Sequence, residues 1–197
     1  MAETPEWPSY KVGPKDSIFA LGIVSVNYAL LEFAVLGMFS VVLGLEDELA
    51  PRLMFKASAE MRDKLMREML PSRAWPDDVK DLTQHFIDAH KVCYENRNKL
   101  IHSNLLAMTA DAIILAKMGR DGQATLSNPL LSELQGVADD MKRFFDYGTQ
   151  LASMIRTDVL GIKPKAGDAW YRSWPEKPPQ PTPLEYTLDP RPLRPLR

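Results

Sequence analysis

The sequence predicts an all-α protein: an up-and-down four-helix bundle with a short β-hairpin or loop between its third and fourth helices and an extended Pro-rich tail. Three observations carry this. Apolar residues recur at helical spacing over four long stretches. Between residues 15 and 160 the only prolines are Pro51, Pro71, Pro76 and Pro129, each where a stretch begins or ends. The chain of 197 residues is 45% apolar, enough for one well-filled core, and its single cysteine, Cys93, leaves no internal disulfide to replace that core.

The first helix is expected from about Asp16 or Ser17, plausible N-caps, to about Leu43, with Gly44 closing it. Its apolar run from Ile18 to Leu43 is long enough to span a bilayer, but Asn27 and Glu32 lie near the middle, which favours a core helix over a membrane span. Gly22, Ser25, Ala29, Glu32, Leu36 and Ser40 share a face expected to form a close-packed seam, with Glu32 in a structural ion pair. The second helix is expected from about Pro51 to Leu70, stopped by Pro71, with Met61, Met66 and Met69 filling a helix interface. A third opens at Pro76-Asp77-Asp78, where Pro and carboxylates suit a helix N-terminus, and runs to about Asn104. Asp111–Lys117 and Gln123–Leu126 then flank Asp121-Gly122 as a hairpin or structured loop. Ser127-Asn128-Pro129 begins the fourth helix, whose apolar positions run from Leu130 through Phe144 and Leu151 to Ile155, ending near Leu160.

Residues 1–15 read as an extended N-terminal segment, 16–160 as the helical domain and 161–197 as the tail. The tail holds nine prolines and seven Lys or Arg against four Asp or Glu, so it cannot continue a helix. A solvated strap anchored by Trp170, Tyr171 and Trp174 is favoured over a partner-docking or RNA-contacting arm.

The third helix sorts its side chains onto two faces. Leu82, Phe86, Ala89, Cys93 and Leu100 form the stripe a bundle buries, with Cys93 a small hydrophobe in it. A second face carries Ile87, Tyr94 and Ile101 seven apart, interleaved with His90, Arg97, Asn98 and His102. A further helix, from this chain or another copy, is expected to cover that row, turning the polar groups into an interface cleft.

Those polar groups are where the sequence looks like chemistry. Arg97 offers a planar fork of donors suited to phosphate oxygens, and His102 is the side-chain type that takes and gives protons near neutral pH. RNA cleavage without metal needs a 2'-hydroxyl deprotonated, charge on phosphorus stabilised and the 5'-oxygen protonated as it leaves. His102 is the candidate general base or acid, Arg97 the phosphate ligand, and Asn98 the group orienting either; His90, Tyr94 and Lys99 are candidate binding residues. One copy supplies one such imidazole, so a two-fold dimer is expected to complete the site. Product RNA is expected to carry a 2',3'-cyclic phosphate. No cofactor is expected, and His85 and His90 lack the Glu-x-x-His arrangement of bundle metal sites, so no metal is either. The net charge of -2 and pI near 5.9 exclude a broad basic face for long nucleic acid. The polar, Pro-containing start is not expected to act as a secretory leader, and with one cysteine the cytoplasm is the expected compartment.

Asn27 to Glu32 on the first helix, Phe55-Lys56 to Leu65 on the second, and Arg97-Asn98-Lys99-Leu100-Ile101-His102 together resemble the HEPN superfamily, the "higher eukaryotes and prokaryotes nucleotide-binding" helical domains. The resemblance covers roughly residues 17–155, and both signature positions, Arg and a His four to six residues beyond, match. It implies a helical bundle, a homodimer with the motifs at its interface, and metal-independent endoribonuclease activity on single-stranded or looped RNA in toxin, defence or RNA-processing systems. An antitoxin or other protein partner is implied for toxin members, and no membrane. Members paired with nucleotidyltransferase antitoxins often carry Tyr two residues after the His, where this chain has Asn104. The alternative is a non-catalytic module of the same kind that binds RNA, nucleotide or protein; arginine and histidine also suit a helix C-terminus electrostatically.

Overall fold

The structure is a computed structural model that describes residues 13–108, 113–118, 124–163, 171 and 173–185. Asp121-Gly122, where the hairpin turn is expected, and Trp170 lie outside the described residues. Helices dominate: α1 (Lys15–Leu43), α2 (Leu49–Met54), α3 (Ala59–Met69), α4 (Asp77–Ile101) and α5 (Leu131–Met154). Strands β1 (Asn104–Met108), β2 (Ile113–Met118) and β3 (Ala124–Ser127) form an antiparallel meander between α4 and α5. Ile113 to Ala116 are all buried, so β2 is covered on both faces.

Gly44 ends α1 in the left-handed region at φ 65°, and its N–H returns to the Ser40 carbonyl. A Cβ there would meet Arg73 Nη2 at 2.6 Å, so the position needs glycine for conformation and for space. Arg73 in turn donates from Nε to the Val42 carbonyl at 2.5 Å, tying the α3–α4 connection to the end of α1.

Several boundaries differ from expectation. The segment expected as one helix over 51–70 is two helices. Ser58 adopts an extended conformation and its hydroxyl accepts the Met61 N–H at 3.2 Å, an N-cap that starts a new helix and reverses the chain. The third helix stops at Ile101 rather than Asn104, because His102 leaves helical geometry at φ -98°, ψ 6° and the chain passes into β1. The N-terminal end of α1 is capped by neither Asp16 nor Ser17: the helix starts at Lys15 after Pro14, with no side-chain cap.

The extra reversal at Ser58 sets the directions of the longer helices. Asn27 Nδ2 donates to the Ala138 carbonyl at 2.9 Å, and Arg156 Nη2 to Ser40 Oγ at 3.1 Å, so α1 and α5 run the same way. Between them α4 runs against both, with Tyr147 Oη on the Leu82 carbonyl at 2.9 Å near one end and Leu100 beside Glu133 near the other. The core between these helices holds Leu31, Met38, Phe39, Phe86, Ile87, Leu134, Met141, Phe144, Leu151 and Ile155, all fully buried. α4 and α5 approach closely at Gly148, where a Cβ would stand 2.2 Å from the Phe86 ring.

Ile87 belongs to this core, so the chain's own helices cover that part of α4's second row, while Tyr94 and Ile101 are half-buried and His102 is exposed. A correction applies to α1. Gly22, Ser25 and Ala29, expected in a buried seam, are exposed, as are Phe19, Val26 and Phe33. Apolar residues surround α1, so periodicity alone gives no direction for its buried side. Of the three methionines expected at an interface, Met66 is fully buried while Met61 and Met69 are exposed.

Candidate functional site

The site lies where α4 ends. Asn98 and His102 sit either side of the last turn, and the His102 N–H closes it on the Asn98 carbonyl at 3.3 Å. Ser103 Oγ donates to the Lys99 carbonyl, satisfying another of the free acceptors at a helix C-terminus. This termination brings His102 against Arg97: the guanidinium Nη1 contacts His102 Nε2 and also donates to Asn98 Oδ1 at 3.2 Å. A guanidinium can only donate, so in this pair the imidazole nitrogen is the acceptor. His102 is exposed, while Arg97 and Asn98 are half-buried. The three residues read as catalytic from the sequence are thus brought together.

Arg97 is supported from below. Its guanidinium carbon lies 5.3 Å from the centre of the Tyr28 ring, a cation–π arrangement. Tyr28 Oη donates to Glu32 Oε1 at 2.9 Å, one turn along α1. Glu32 also receives Arg62 Nη1 of α3 at 2.7 Å, and its Oε1 is 3.6 Å from His90 Nε2 of α4. His90 Nδ1 lies 2.7 Å from Asp63 Oδ1. The result is a chain of polar groups from Asp63 through His90, Glu32 and Tyr28 to the guanidinium.

Burial alone would raise the Glu32 carboxyl, but His90, Arg62 and Tyr28 outweigh it and hold the pKa at about 2. For His90, burial favours the neutral ring, and the carboxylates of Asp63 and Glu32 overcome that and raise its pKa. Tyr28 is raised by burial first and then by the Glu32 charge, so it stays a hydroxyl donor. Burial likewise pushes the Cys93 thiol up to about 12, which makes it inert packing.

The other sequence candidates fall elsewhere. His90 is fully buried within the polar chain and presents nothing to a ligand directly. Tyr94 is half-buried on the wall of a groove of about 480 Å³ between α3 and α4, with Asp63, Arg67 and Lys91. Lys99 Nζ donates to the Leu184 carbonyl, and His85 binds the segment after α5, with Nε2 2.8 Å from the Pro178 carbonyl. No group of three or more His, Cys, Asp or Glu suited to a metal ion occurs among the described residues. Sequence reasoning missed Arg62 and Asp63 and the part played by Tyr28. The Tyr28-x-x-x-Glu32 spacing was the only local signal, since the remaining partners come from two other helices.

No family model, curated protein or solved structure matches the chain.

Proposed function

We propose that this chain is a metal-independent endoribonuclease of the HEPN type, with residues 16–160 as its helical domain, 161–197 as an appended tail and Arg97, Asn98 and His102 as its catalytic group. The observation that carries the reading is the direct contact between the Arg97 guanidinium and the His102 imidazole at an accessible helix end, with the guanidinium laid on Tyr28. His102 Nε2 carries the lone pair a general base needs. It takes the proton of an RNA 2'-hydroxyl, whose oxygen attacks phosphorus. Arg97 turns its donors onto the non-bridging oxygens as charge builds there. The 5'-oxygen leaves with a proton from the second copy's imidazole, which enters the step as imidazolium and leaves it neutral, and the other fragment keeps a 2',3'-cyclic phosphate. Asn98 fixes one edge of the guanidinium, and Glu32, locked by Arg62 and His90, fixes the tyrosine beneath it.

The cytoplasm is the compartment, single-stranded or looped RNA the substrate, and toxin, defence or RNA-processing the setting. The test is incubation of the purified chain with single-stranded RNA in EDTA. Cutting is expected, with a loss of at least about a hundredfold in Arg97→Ala and His102→Ala, while His102→Ala, at an exposed position, keeps the melting temperature. RNA bound by the wild type but never cut would identify the non-catalytic binding module instead.

A further inference from the structure

We propose that the groove between α4 and α5 is a docking site for a proline-rich segment of another protein, held in this structure by the chain's own residues 175–184. Along that stretch Pro175 and Pro181 are buried, Pro178 and Leu184 are half-buried, and the residues between them are exposed. A contact at every third residue is the repeat of a polyproline II helix. The climb along α4 agrees with it. Pro178 sits on His85, while Thr182 and Leu184 both sit on Asn96. From His85 to Asn96 the helix rises about 17 Å, and a polyproline II segment from 178 to 183 rises about 16 Å.

The groove is built to hold a backbone of that shape. Proline has no N–H, so a proline-rich segment presents mainly carbonyls, and the groove answers with donors. His85 Nε2 lies 2.8 Å from the Pro178 carbonyl, Asn96 Nδ2 donates to the Thr182 carbonyl at 2.9 Å, and Lys99 Nζ donates to the Leu184 carbonyl. The N–H groups of Thr182 and Leu184 go to the Asp140 carboxylate and to Asn96 Oδ1. Asn96 is buried, yet both ends of its amide are spent on the segment laid over it. The His85 ring, 5.7 Å from the Phe144 ring and 5.8 Å from that of Tyr147, adds the aromatic wall on which polyproline II segments are recognised.

What the groove reads is conformation and proline spacing. Among the exposed residues of the segment, Lys177 contributes an exposed ion pair with Asp81, and Gln180 an amide contact to His85. An exposed pair adds little, so a chain with the pattern Pro-x-x-Pro-x-x-Pro-x-x-Leu meets the same donors. The resident's advantage is its covalent tether, an effective concentration on the order of millimolar. A partner overcomes it with contacts outside the groove. The proposal uses none of Arg97, Asn98 and His102, so it stands or falls apart from the ribonuclease reading.

Fluorescence anisotropy of a labelled peptide with the sequence of residues 173–185, added to the full chain, tests this. Binding is expected to tighten at least about tenfold when Pro175→Asp and Pro181→Asp together loosen the resident segment, and to weaken by a similar factor when Asn96→Ala is added. A second peptide, residues 173–184 with Glu176, Lys177 and Thr182 changed to alanine, keeps the prolines and is expected to bind within about threefold of the first. In excess over the wild type, which needs no substitution to fold, this second peptide should speed cleavage after Glu185 by a glutamate-specific protease. A peptide of the same composition with its prolines off the three-residue spacing should not bind. No binding by the loosened chain, its helical circular dichroism intact, or an unchanged cleavage rate in the wild type would overturn the proposal, as would equal binding of the reordered peptide. Failure of the alanine peptide alone would also overturn it, since the groove would then accept its own tail and no foreign segment. Wild-type dimers by light scattering that the loosened chain lacks would put a second copy's segment in the groove instead.

Discussion

Glu32 is the side chain on which the local electrostatics turn, because three helices converge on its two oxygens. Its carboxyl falls from 4.5 to about 2 in the folded chain, a difference of about 3 kcal/mol in favour of the folded state. A depressed carboxyl stabilises above its unfolded value, so this contribution is complete above pH 4.5 and is lost as pH falls through about 2. His90 acts in the other direction. Its raised pKa stabilises fully below the ordinary histidine value and loses that contribution as pH climbs through the folded one. Thermal melts between pH 2 and 5 should therefore fall steeply for the wild type and more shallowly for Glu32→Gln; parallel slopes would remove Glu32 from the network. Arg97, Asn98 and His102 were legible in the sequence because a single helix end assembles them. Arg62 and Asp63 were not, because nothing within α3 marks which residues meet α1 and α4.

Where α4 crosses α5, the packing leaves no room for a side chain at position 148. Phe86 is fully buried, and its ring occupies the space that a side chain at position 148 would need. Gly148→Ala should therefore cost about 1–3 kcal/mol, although alanine is the better helix former, because ring and backbone must separate; Gly136→Ala, on the same helix with open space around it, is the control expected to hold or gain stability. Chemical denaturation of the two variants checks this. The amphipathic helices α4 and α5 were readable from spacing, since the main apolar stripe of each entered the core, although on α4 Ile87 of the second row is buried with it. For α1 the length was readable and the orientation was not, because either side could be buried on composition alone. The break at Ser58 was carried by a single capping hydroxyl within a continuous helical pattern.

For the whole molecule, the stretch from Ser173 to Glu185 ties the end of the chain to α4 and α5. Gln150 Nε2 donates to the Ser173 carbonyl at 2.9 Å, Lys177 pairs with Asp81, and buried Asn96 donates to the Thr182 carbonyl at 2.9 Å and accepts from the Leu184 N–H at 2.8 Å. Asn96→Ala leaves two backbone groups without their partner and should cost about 1–3 kcal/mol, with faster cleavage after Glu185 by a glutamate-specific protease. An unchanged cleavage rate would mean that Asn96 does not hold the segment down. Proline content announced an extended stretch, but not its path, since the anchoring amide lies on α4. The same α4 carries the catalytic proposal into its last turn, and that proposal has a direct chemical readout. Mass spectrometry of a single-stranded RNA incubated in EDTA should find 2',3'-cyclic phosphate ends with the wild type and none with His102→Ala; intact RNA with the wild type, or the same ends with the variant, would contradict the account.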